Sequence, residues 1–213
     1  MSGNTNEMTT PLRPLYELAD VQSGLPVRSL VSRDSGGGVL VFALMPASLK
    51  SDAEFAPKVN DLVPARADLN PESRHFVKPG DIFVTAKSTE DSMRCTLISE
   101  EWNCDSSPCF SSSLIRIQPI TQRGIITRYL HAWLASPSGK AALLAESQSA
   151  TSQLNLTTSS ISRVEVPVPP LEQQHKVVRL LDAAFAAHHS AIAAAEARLS
   201  LAQEIAFISQ NHE

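Results

Sequence analysis

The C-terminal fifth of the chain constrains the fold most, because from Leu171 to about Gln210 it contains neither proline nor glycine. Alanine is abundant there, and leucine, glutamate, glutamine and arginine fill about half of the other positions; all are strong helix formers. Pro170 suits a first helical turn, where an N–H would have no partner in any case. The sequence therefore predicts one helix of about forty residues, roughly 60 Å long at 1.5 Å per residue.

The predicted helix carries an apolar seam with spacings of three and four residues, the a/d pattern of a coiled coil over about four heptads. Such a long seam predicts a partner helix; the alternative is that the helix folds back over its own domain. We interpret His188 as a polar residue that sets the register, with a ligand or switch role as the alternative. The seam consists of Val178, Leu181, Phe185, His188, Ile192, Ala195, Leu199, Ala202 and Ala206.

The preceding part of the chain has a different character, with short apolar runs between proline, serine and glycine turn signals. Ser35–Gly38 is predicted to be a turn or loop, and Lys78–Asp81 a tight turn that leads into a strand. Two helices are predicted, at about Ile125–Ala135 and Gly139–Glu146. The predicted strands are Val39–Leu44, Phe76–Thr85, Cys95–Ser99, Leu114–Gln118 and Val164–Val168.

This order of elements predicts an α+β fold, a globular domain with a mixed β core and short helices, followed by the long C-terminal helix. We divide the chain into a disordered N-terminal lead (1–11), a globular domain (12–169) and the helix (170–213). Apolar residues make up 43% of the chain, enough for a real core. No run of about twenty apolar residues predicts a membrane span, and the polar N-terminus has no signal-peptide core.

Charge and cysteine content narrow the function classes. The net charge is −4, whereas a protein that binds nucleic acid alone is usually basic, so any DNA contact is expected to depend on a basic partner. Cys95, Cys104 and Cys109 are odd in number and unevenly spaced, which fits a reducing cytoplasm and argues against a disulfide framework or a zinc site. The chain has no nucleophile elbow, phosphate-binding loop or dinucleotide fingerprint, so we expect no enzyme activity, metal or cofactor.

The stretch from Val164 to Asp182 resembles the junction between recognition domain and spacer helix in the DNA specificity subunits of type I restriction–modification systems. A strand there ends in proline, Pro169-Pro170-Leu171 follows, and Gln173 and an apolar helix start come next. Weaker resemblances occur in the family's order at Leu15–Ala19 with Ser23-Gly24, Val77–Val84, Tyr129-Leu130 through Trp133-Leu134 to Ser136, and Leu154–Leu156 with Ile161.

The resemblance implies a non-catalytic subunit that recognises double-stranded DNA for a methyltransferase complex active in phage defence. The implied partners are a DNA methyltransferase (modification) subunit, a restriction or translocase subunit, and a second specificity chain. Two such chains, joined through their helices as a homodimer or heterodimer, would read a bipartite site. The chain resembles half of the usual subunit, which carries two recognition domains. It also has Gln173 where glutamate is common, no glycine in 147–153, and no recognisable match in 46–75.

By the same resemblance, base reading is expected in the loop after Gly24, the loop after the Gly80-Asp81 strand, and the segment before Leu154. Arginine and lysine suit guanine and glutamine suits adenine in the major groove, while a solvated surface loop is the alternative for each residue. A rival interpretation is an adaptor that binds protein partners of another defence complex without DNA selectivity. The DNA-binding candidates are Arg28, Arg33, Lys87, Arg94, Gln148, Thr151, Ser152 and Gln153.

Overall fold

The computed structural model describes residues 10–32, 38–70, 73–89, 91–103, 108–147 and 154–208. They form two compact units that divide between Leu171 and Glu172. The first unit mixes strands with short helices, and the second is a single long helix. The predicted α+β fold class is therefore confirmed. The predicted N-terminal lead, except residues 10 and 11, and part of the predicted turn at Ser35–Gly38 lie outside the described ranges.

Thirteen short strands and four α-helices make up the regular structure of these residues. The helices are α1 (Thr127–Ala135), α2 (Pro137–Ala145), α3 (Thr158–Ser162) and α4 (Leu171–Ile208), with short 3-10 helices at Leu15–Glu17, Val27–Ser29, Pro46–Ser48, Val59–Asp61 and Thr121–Arg123. The strands are β1 (Leu12–Pro14), β2 (Ala19–Ser23), β3 (Val31–Ser32), β4 (Val39–Leu44), β5 (Glu54–Phe55), β6 (Val63–Ala67), β7 (Ile82–Thr85), β8 (Lys87–Ser88), β9 (Cys95–Ile98), β10 (Cys109–Phe110), β11 (Leu114–Pro119), β12 (Leu154–Asn155) and β13 (Glu165–Pro167).

The centre of the first unit is a five-stranded sheet in the order β2-β11-β7-β9-β5. Its first four strands are antiparallel to their neighbours, and β5 pairs parallel to β9. Each side chain of β7 and β9 is buried, as expected for strands covered on both faces.

A second sheet, in the order β10-β4-β6-β3, packs against the first. One hydrophobic cluster joins the two, since Leu44 and Phe110 of the second sheet pack with Phe83, Ile98 and Leu114 of the first. The rings of Phe83 and Phe110 meet edge to face, with centroids 5.0 Å apart. Aromatic pairs of this geometry stabilise a core beyond the area that they bury.

The helices α1 and α2 pack on each other, and α1 contacts β9 of the central sheet. Pairing of β1 with β13 brings the start of the described chain beside the strand that precedes α4. The hydroxyl of Tyr129 on α1 donates a hydrogen bond to the carbonyl of Pro167 at 2.9 Å. The last strand of the unit is therefore held from two sides.

The structure refines several predicted boundaries. The predicted strand at 76–85 is only Ile82–Thr85, because Lys78–Asp81 forms the predicted turn with Gly80 at φ 81°. The amide of Asp81 closes that turn by donating to the carbonyl of Lys78 at 3.2 Å. The helix predicted from Gly139 begins at Pro137, since the Ser136 hydroxyl caps it by accepting from the amide of Gly139.

The second unit is the predicted long helix, which spans 38 residues from Leu171 to Ile208. At 1.5 Å per residue it is about 57 Å long. No helix of the described residues combines the length and the apolar character that crossing a bilayer requires.

Candidate nucleic-acid interface

Two of the predicted DNA-reading segments, and the strand that follows the third, come together at one end of the five-stranded sheet. The antiparallel register places the end of β2 beside the start of β11, with Ser23 opposite Ile115. It likewise places Thr85, the last residue of β7, opposite Leu114. We call this edge, where β2 and β7 end and β9 and β11 begin, the loop end of the sheet.

Gly24 brings the first segment to the loop end. A β-carbon at this position would lie 2.4 Å from the carbonyl oxygens of Phe110 and Ser111, closer than real β-carbons approach. Without a side chain, the backbone passes beside β10, and the amide of Leu25 donates to the Phe110 carbonyl at 2.9 Å. The turn that follows carries the exposed Arg28.

The second segment pairs with the strand that follows the third segment, whose own candidate residues lie outside the described ranges. Strand β8, just after β7, is antiparallel to β12, with Lys87 opposite Asn155. The amide of Leu156 donates to the carbonyl of Ala86 at 2.8 Å, and the amide of Ala86 donates to the carbonyl of Ser113 at 2.9 Å. Segments that lie about seventy residues apart in sequence thus form one strip beside the start of β11.

The predicted residues of these segments differ in their exposure and contacts. Lys87 and Arg28 are exposed. Arg94 is half-buried, and its Nη1 donates to the carbonyls of Asp91 and Met93 at 2.9 and 3.1 Å, so its guanidinium holds the turn before β9 together. Arg33, Gln148, Thr151, Ser152 and Gln153 lie outside the described residues.

Arg74 is an exposed residue near the loop end that sequence analysis did not nominate. The side-chain amide of Gln22 on β2 donates to the Arg74 carbonyl at 3.1 Å and lies 3.4 Å from Nδ1 of His75. Burial, and after it the neighbouring charges of Arg74 and Arg116, lower the pKa of His75. Only the fold brings residue 74 next to β2, so no local pattern marked it.

A buried ion pair supports this arrangement. Arg116 of β11 and Asp81 are both almost inaccessible, with Nη1 and Oδ2 3.5 Å apart. The same guanidinium donates to the Phe76 carbonyl at 3.1 Å and to Oε1 of Gln22 at 2.7 Å, and it lies over the Phe110 ring. Arg116 thereby fixes Gln22, which in turn fixes the backbone of Arg74.

Burial raises the pKa of Asp81 to about 6, against the opposing influence of the Arg116 charge and the amide of Lys78. That amide donates to Oδ2 at 2.8 Å, which ties the carboxylate to the Lys78–Asp81 turn. The carboxyl is therefore mostly ionised at neutral pH and balances the buried guanidinium.

The two cysteines that the structure describes are poor nucleophiles. Cys95 and Cys109 are buried, and burial raises the pKa of both thiols, that of Cys109 to about 11. A protonated, inaccessible thiol neither attacks a substrate nor binds a metal well. Within the described ranges, no cluster of histidine, cysteine and carboxylate side chains has the geometry of a metal site. Cys104 lies outside them.

The predicted seam of α4 is exposed over most of its length. Phe185, Ile192 and Leu199 expose 55%, 43% and 62% of their surface, while Val178 and Leu181 are half-buried. A single stripe of large apolar side chains on a solvated helix is typical of an interaction surface.

A second apolar stripe, which sequence analysis missed, also runs along α4. Its large members Leu180, Leu201 and Ile205 are more than half exposed. Ala184, Ala187, Ala191 and Ala194 fill the positions between them at spacings of three and four, and Arg198 interrupts the stripe. At 3.6 residues per turn it lies about 100° around the helix from the seam. The many alanines between the two stripes obscure it in the sequence.

The described residues thus present one loop-bearing edge of a sheet and one long helix with exposed apolar stripes. Residues 77–195 match the model of the type I restriction modification DNA specificity domain. The match covers more than half of the chain, which therefore belongs to this family of type I restriction–modification specificity proteins.

Among curated relatives, the specificity subunit of the type I restriction enzyme EcoBI from Escherichia coli is 28% identical over 113 residues, 53% of this chain and 22% of that protein. A solved structure from work on the assembly and conformational transition of the type I restriction–modification system superposes on 93% of this chain and 45% of its own, with a TM-score of 0.52 and 19% identity. The HsdS subunit of Thermoanaerobacter tengcongensis covers 85% of this chain and 39% of its own, with a TM-score of 0.46 and 16% identity.

The chain spans about a fifth of the E. coli subunit and less than half of each solved chain. The likeness to the structure with the TM-score of 0.52 supports the fold of this chain.

Proposed function

We propose that this chain recognises DNA sequence for a type I restriction–modification methyltransferase and does no chemistry itself. In this proposal the loop end reads base pairs, and α4 joins the chain to a second specificity chain so that two domains read one split site. The meeting of the loop after Gly24 and the loop after β7 at the loop end, beside the strand that follows the third segment, is the observation that carries the proposal. Loops held at one edge of a rigid sheet present several side chains to the same stretch of major groove.

Cations at the loop end take different roles in this proposal. Arg28 and Lys87, together with Arg74, are exposed and contact bases or phosphates. Arg94 shapes its turn, because its guanidinium Nη1 is bonded to the backbone of Asp91 and Met93. Few cations and a net charge of −4 leave little nonspecific attraction to phosphates, so a basic methyltransferase subunit supplies most of it.

The exposed stripes of α4 support the proposed protein partners. The seam pairs with a second specificity chain, which buries Phe185, Ile192 and Leu199. That contact covers only one side of the helix and leaves the second stripe, with Leu180, Leu201 and Ile205, for another partner. We assign this stripe to the methyltransferase subunit, because the proposed complex requires that subunit to hold the helix pair.

The proposal is tested by DNA binding with and without the cognate methyltransferase subunit. We expect salt-sensitive binding that selects one split sequence only in the complex, and weak, unselective binding by the chain alone. Methylation profiling of host DNA should show the same split motif, symmetric for a homodimer. A complex that forms but binds all duplexes equally would contradict the proposal.

Replacing Lys87 with alanine should weaken specific binding of the complex. A lost base contact costs about 1–3 kcal/mol at one base position, whereas a lost phosphate contact weakens all sequences and lowers the salt slope by about one. Lys58→Ala is the matched control, because Lys58 lies near the other end of the sheet. The carbonyl of its neighbour Pro57 accepts a hydrogen bond from the indole of Trp102, which follows the end of β9. Equal effects of the two substitutions on binding would remove the loop end from the interface.

The net charge favours one alternative, an adaptor that binds protein partners without reading DNA. The chain is acidic, and protein partners alone would account for the two exposed apolar stripes on its helix. Complex formation with no DNA selectivity, and no effect of Arg28, Arg74 or Lys87 variants, would support the adaptor.

A further inference from the structure

We infer that His75 offers its Nε2–H group to the DNA as a hydrogen-bond donor, and that Gln22 and Arg116 set this role by fixing which ring nitrogen carries the proton. The inference rests on the proposed function and deepens it. It assigns to the loop end a neutral donor that pairs with a hydrogen-bond acceptor of the DNA, on a base edge or on a phosphate. Sequence analysis nominated neither His75 nor Gln22.

The orientation of the Gln22 side-chain amide follows from its two neighbours. Its Oε1 lies 2.7 Å from Nη2 of Arg116, and a guanidinium only donates hydrogen bonds, so an oxygen belongs at this position. Its Nε2 lies 3.1 Å from the carbonyl oxygen of Arg74, which only accepts. A flipped amide would place oxygen against the carbonyl and NH₂ against the cation. Both neighbours therefore favour the same orientation.

That orientation decides which nitrogen of His75 carries the proton. The NH₂ group of Gln22 has two hydrogens, of which one goes to the Arg74 carbonyl and the other to Nδ1 of His75, 3.4 Å from Nε2 of Gln22. A donor at this place requires an unprotonated Nδ1, so the neutral ring has its proton on Nε2. Burial, and after it the charges of Arg74 and Arg116, lower the pKa of His75, which favours this neutral form.

Both the backbone and the ring of His75 are held in place. The amide of Phe110 donates to the His75 carbonyl at 3.2 Å, and the amide of His75 donates to Oγ of Ser73 at 3.3 Å. The ring lies against the ring of Phe110, with centroids 6.1 Å apart. A donor that is already ordered loses little conformational entropy when it binds.

The Nε2–H group remains available for a partner. Among the residues that the structure describes, none accepts a hydrogen bond from it, and His75 is half-buried rather than enclosed in the core. Its neighbour Arg74 is exposed, and Gln22 is one residue from the end of β2, so the donor lies near the loop end. Purine N7, guanine O6 and thymine O4 are matching acceptors in the major groove, whereas cytosine offers only a donor there.

Nitrogen NMR of the full-length chain tests the tautomer without DNA. At about pH 8, above the ordinary pKa of an imidazole, the shifts of His75 should show a protonated Nε2 and an unprotonated Nδ1. Gln22→Glu puts a carboxylate oxygen in place of the NH₂ group, so Nδ1 should become protonated and the pKa of His75 should rise. Gln122→Glu is the matched control, because the exposed Gln122 lies beyond the other end of β11 and should change neither property.

A wild-type ring that is protonated on Nδ1 overturns the inference. So does a ring whose tautomer and pKa are the same in Gln22→Glu as in Gln122→Glu. A shift in the first variant alone supports the fixed tautomer, which a purely structural role of Gln22 would not require.

DNA binding by the complex with the methyltransferase subunit tests the contact itself. The probe is a duplex that carries the split motif found by methylation profiling, with single base pairs replaced in turn. His75→Phe keeps an aromatic ring beside Phe110 but removes both nitrogens, and it should weaken binding about 5- to 150-fold. His75→Gln keeps an N–H donor of similar reach and should recover most of that affinity.

The pattern of the loss distinguishes the two sources of the acceptor. If His75 contacts a base, His75→Phe no longer discriminates among base pairs at one position. If it contacts a phosphate, the variant binds all duplexes more weakly by the same factor, and the salt dependence is unchanged because the ring is neutral. Either pattern supports the inference.

Unchanged binding by His75→Phe overturns the inference, and so does a loss in His75→Gln as large as that in His75→Phe. If the wild-type complex still selects its motif in these cases, the proposed function stands without the His75 contact. A wild-type complex that selects no sequence contradicts the proposed function itself. Should His75→Phe fail to fold, the response of the His75 tautomer to Gln22→Glu still decides the inference.

Discussion

Ile192→Asp is expected to shift the proposed dimer to monomers and to raise its dissociation constant by at least about 100-fold. Each substitution removes an apolar side chain whose burial contributes about 1.5–3 kcal/mol, and the pairing buries two of them. It also places two carboxylates in the apolar seam, which costs further free energy unless they are protonated. A loss of about 3 kcal/mol already corresponds to more than a hundredfold change in affinity. Sedimentation equilibrium measures the dissociation constant.

Ala197→Asp is the matched control for this prediction, because residue 197 lies on the face opposite the seam. Aspartate is a poorer helix former than alanine, so the control carries at least the same local helix cost. Circular dichroism checks the fold of both variants. Neither substitution should change the fold greatly, since Ile192 is substantially exposed in the single chain. A dimer that survives Ile192→Asp unchanged would show that the contact lies elsewhere.

Arg116→Met is expected to lower the free energy of unfolding by about 3–5 kcal/mol, because it leaves the buried carboxylate of Asp81 without its partner. Methionine keeps much of the side-chain volume over the Phe110 ring, so the effect reports mainly the lost charge and hydrogen bonds. Arg28→Met changes an exposed arginine and should stay within about 0.5 kcal/mol. Urea denaturation gives these free energies.

The double variant Asp81→Asn with Arg116→Met should be more stable than the sum of the two single changes predicts, since neither charge is then left alone.

The pH profile of the free energy of unfolding gives a second check. The pKa of Asp81 is higher in the folded chain, about 6, than its ordinary value of 3.8. The folded state therefore binds the extra proton between these values, and the contribution of Asp81 to the free energy of unfolding falls as pH rises from about 4 to about 6.

Asp81→Asn should abolish that decline, and Arg116→Met should extend it to higher pH, because the Arg116 charge lowers the pKa of Asp81. Additive effects of the two single substitutions on the free energy of unfolding, together with an unaltered pH profile, would contradict the role of the Arg116–Asp81 pair. The pair also matters for the proposed interface, since Arg116 holds Gln22 and so the backbone of Arg74. Loss of DNA selectivity at a stability that still allows folding would connect the two roles.

The local sequence was sufficient for the elements with a clear period or strong turn chemistry. The helix from Leu171 follows from composition, and the turn at Lys78–Asp81 follows from its proline and glycine. The strand Val39–Leu44 has the predicted bounds, because a run of β-branched and apolar residues marks it. The strand Val63–Ala67 was missed, since proline, arginine and two alanines favour no strand and pairing with β4 supplies the stability.

The sequence by itself determined the long helix, its apolar seam and the tight turn before β7, because periodicity and turn residues act over a few neighbours. Only the tertiary structure decided that the loop after Gly24 and the loop after β7 share one end of a sheet, that β8 pairs with β12, and that Arg74 lies beside Gln22. These are contacts between residues far apart in the chain. Their register depends on the burial of whole strands, which no local pattern encodes.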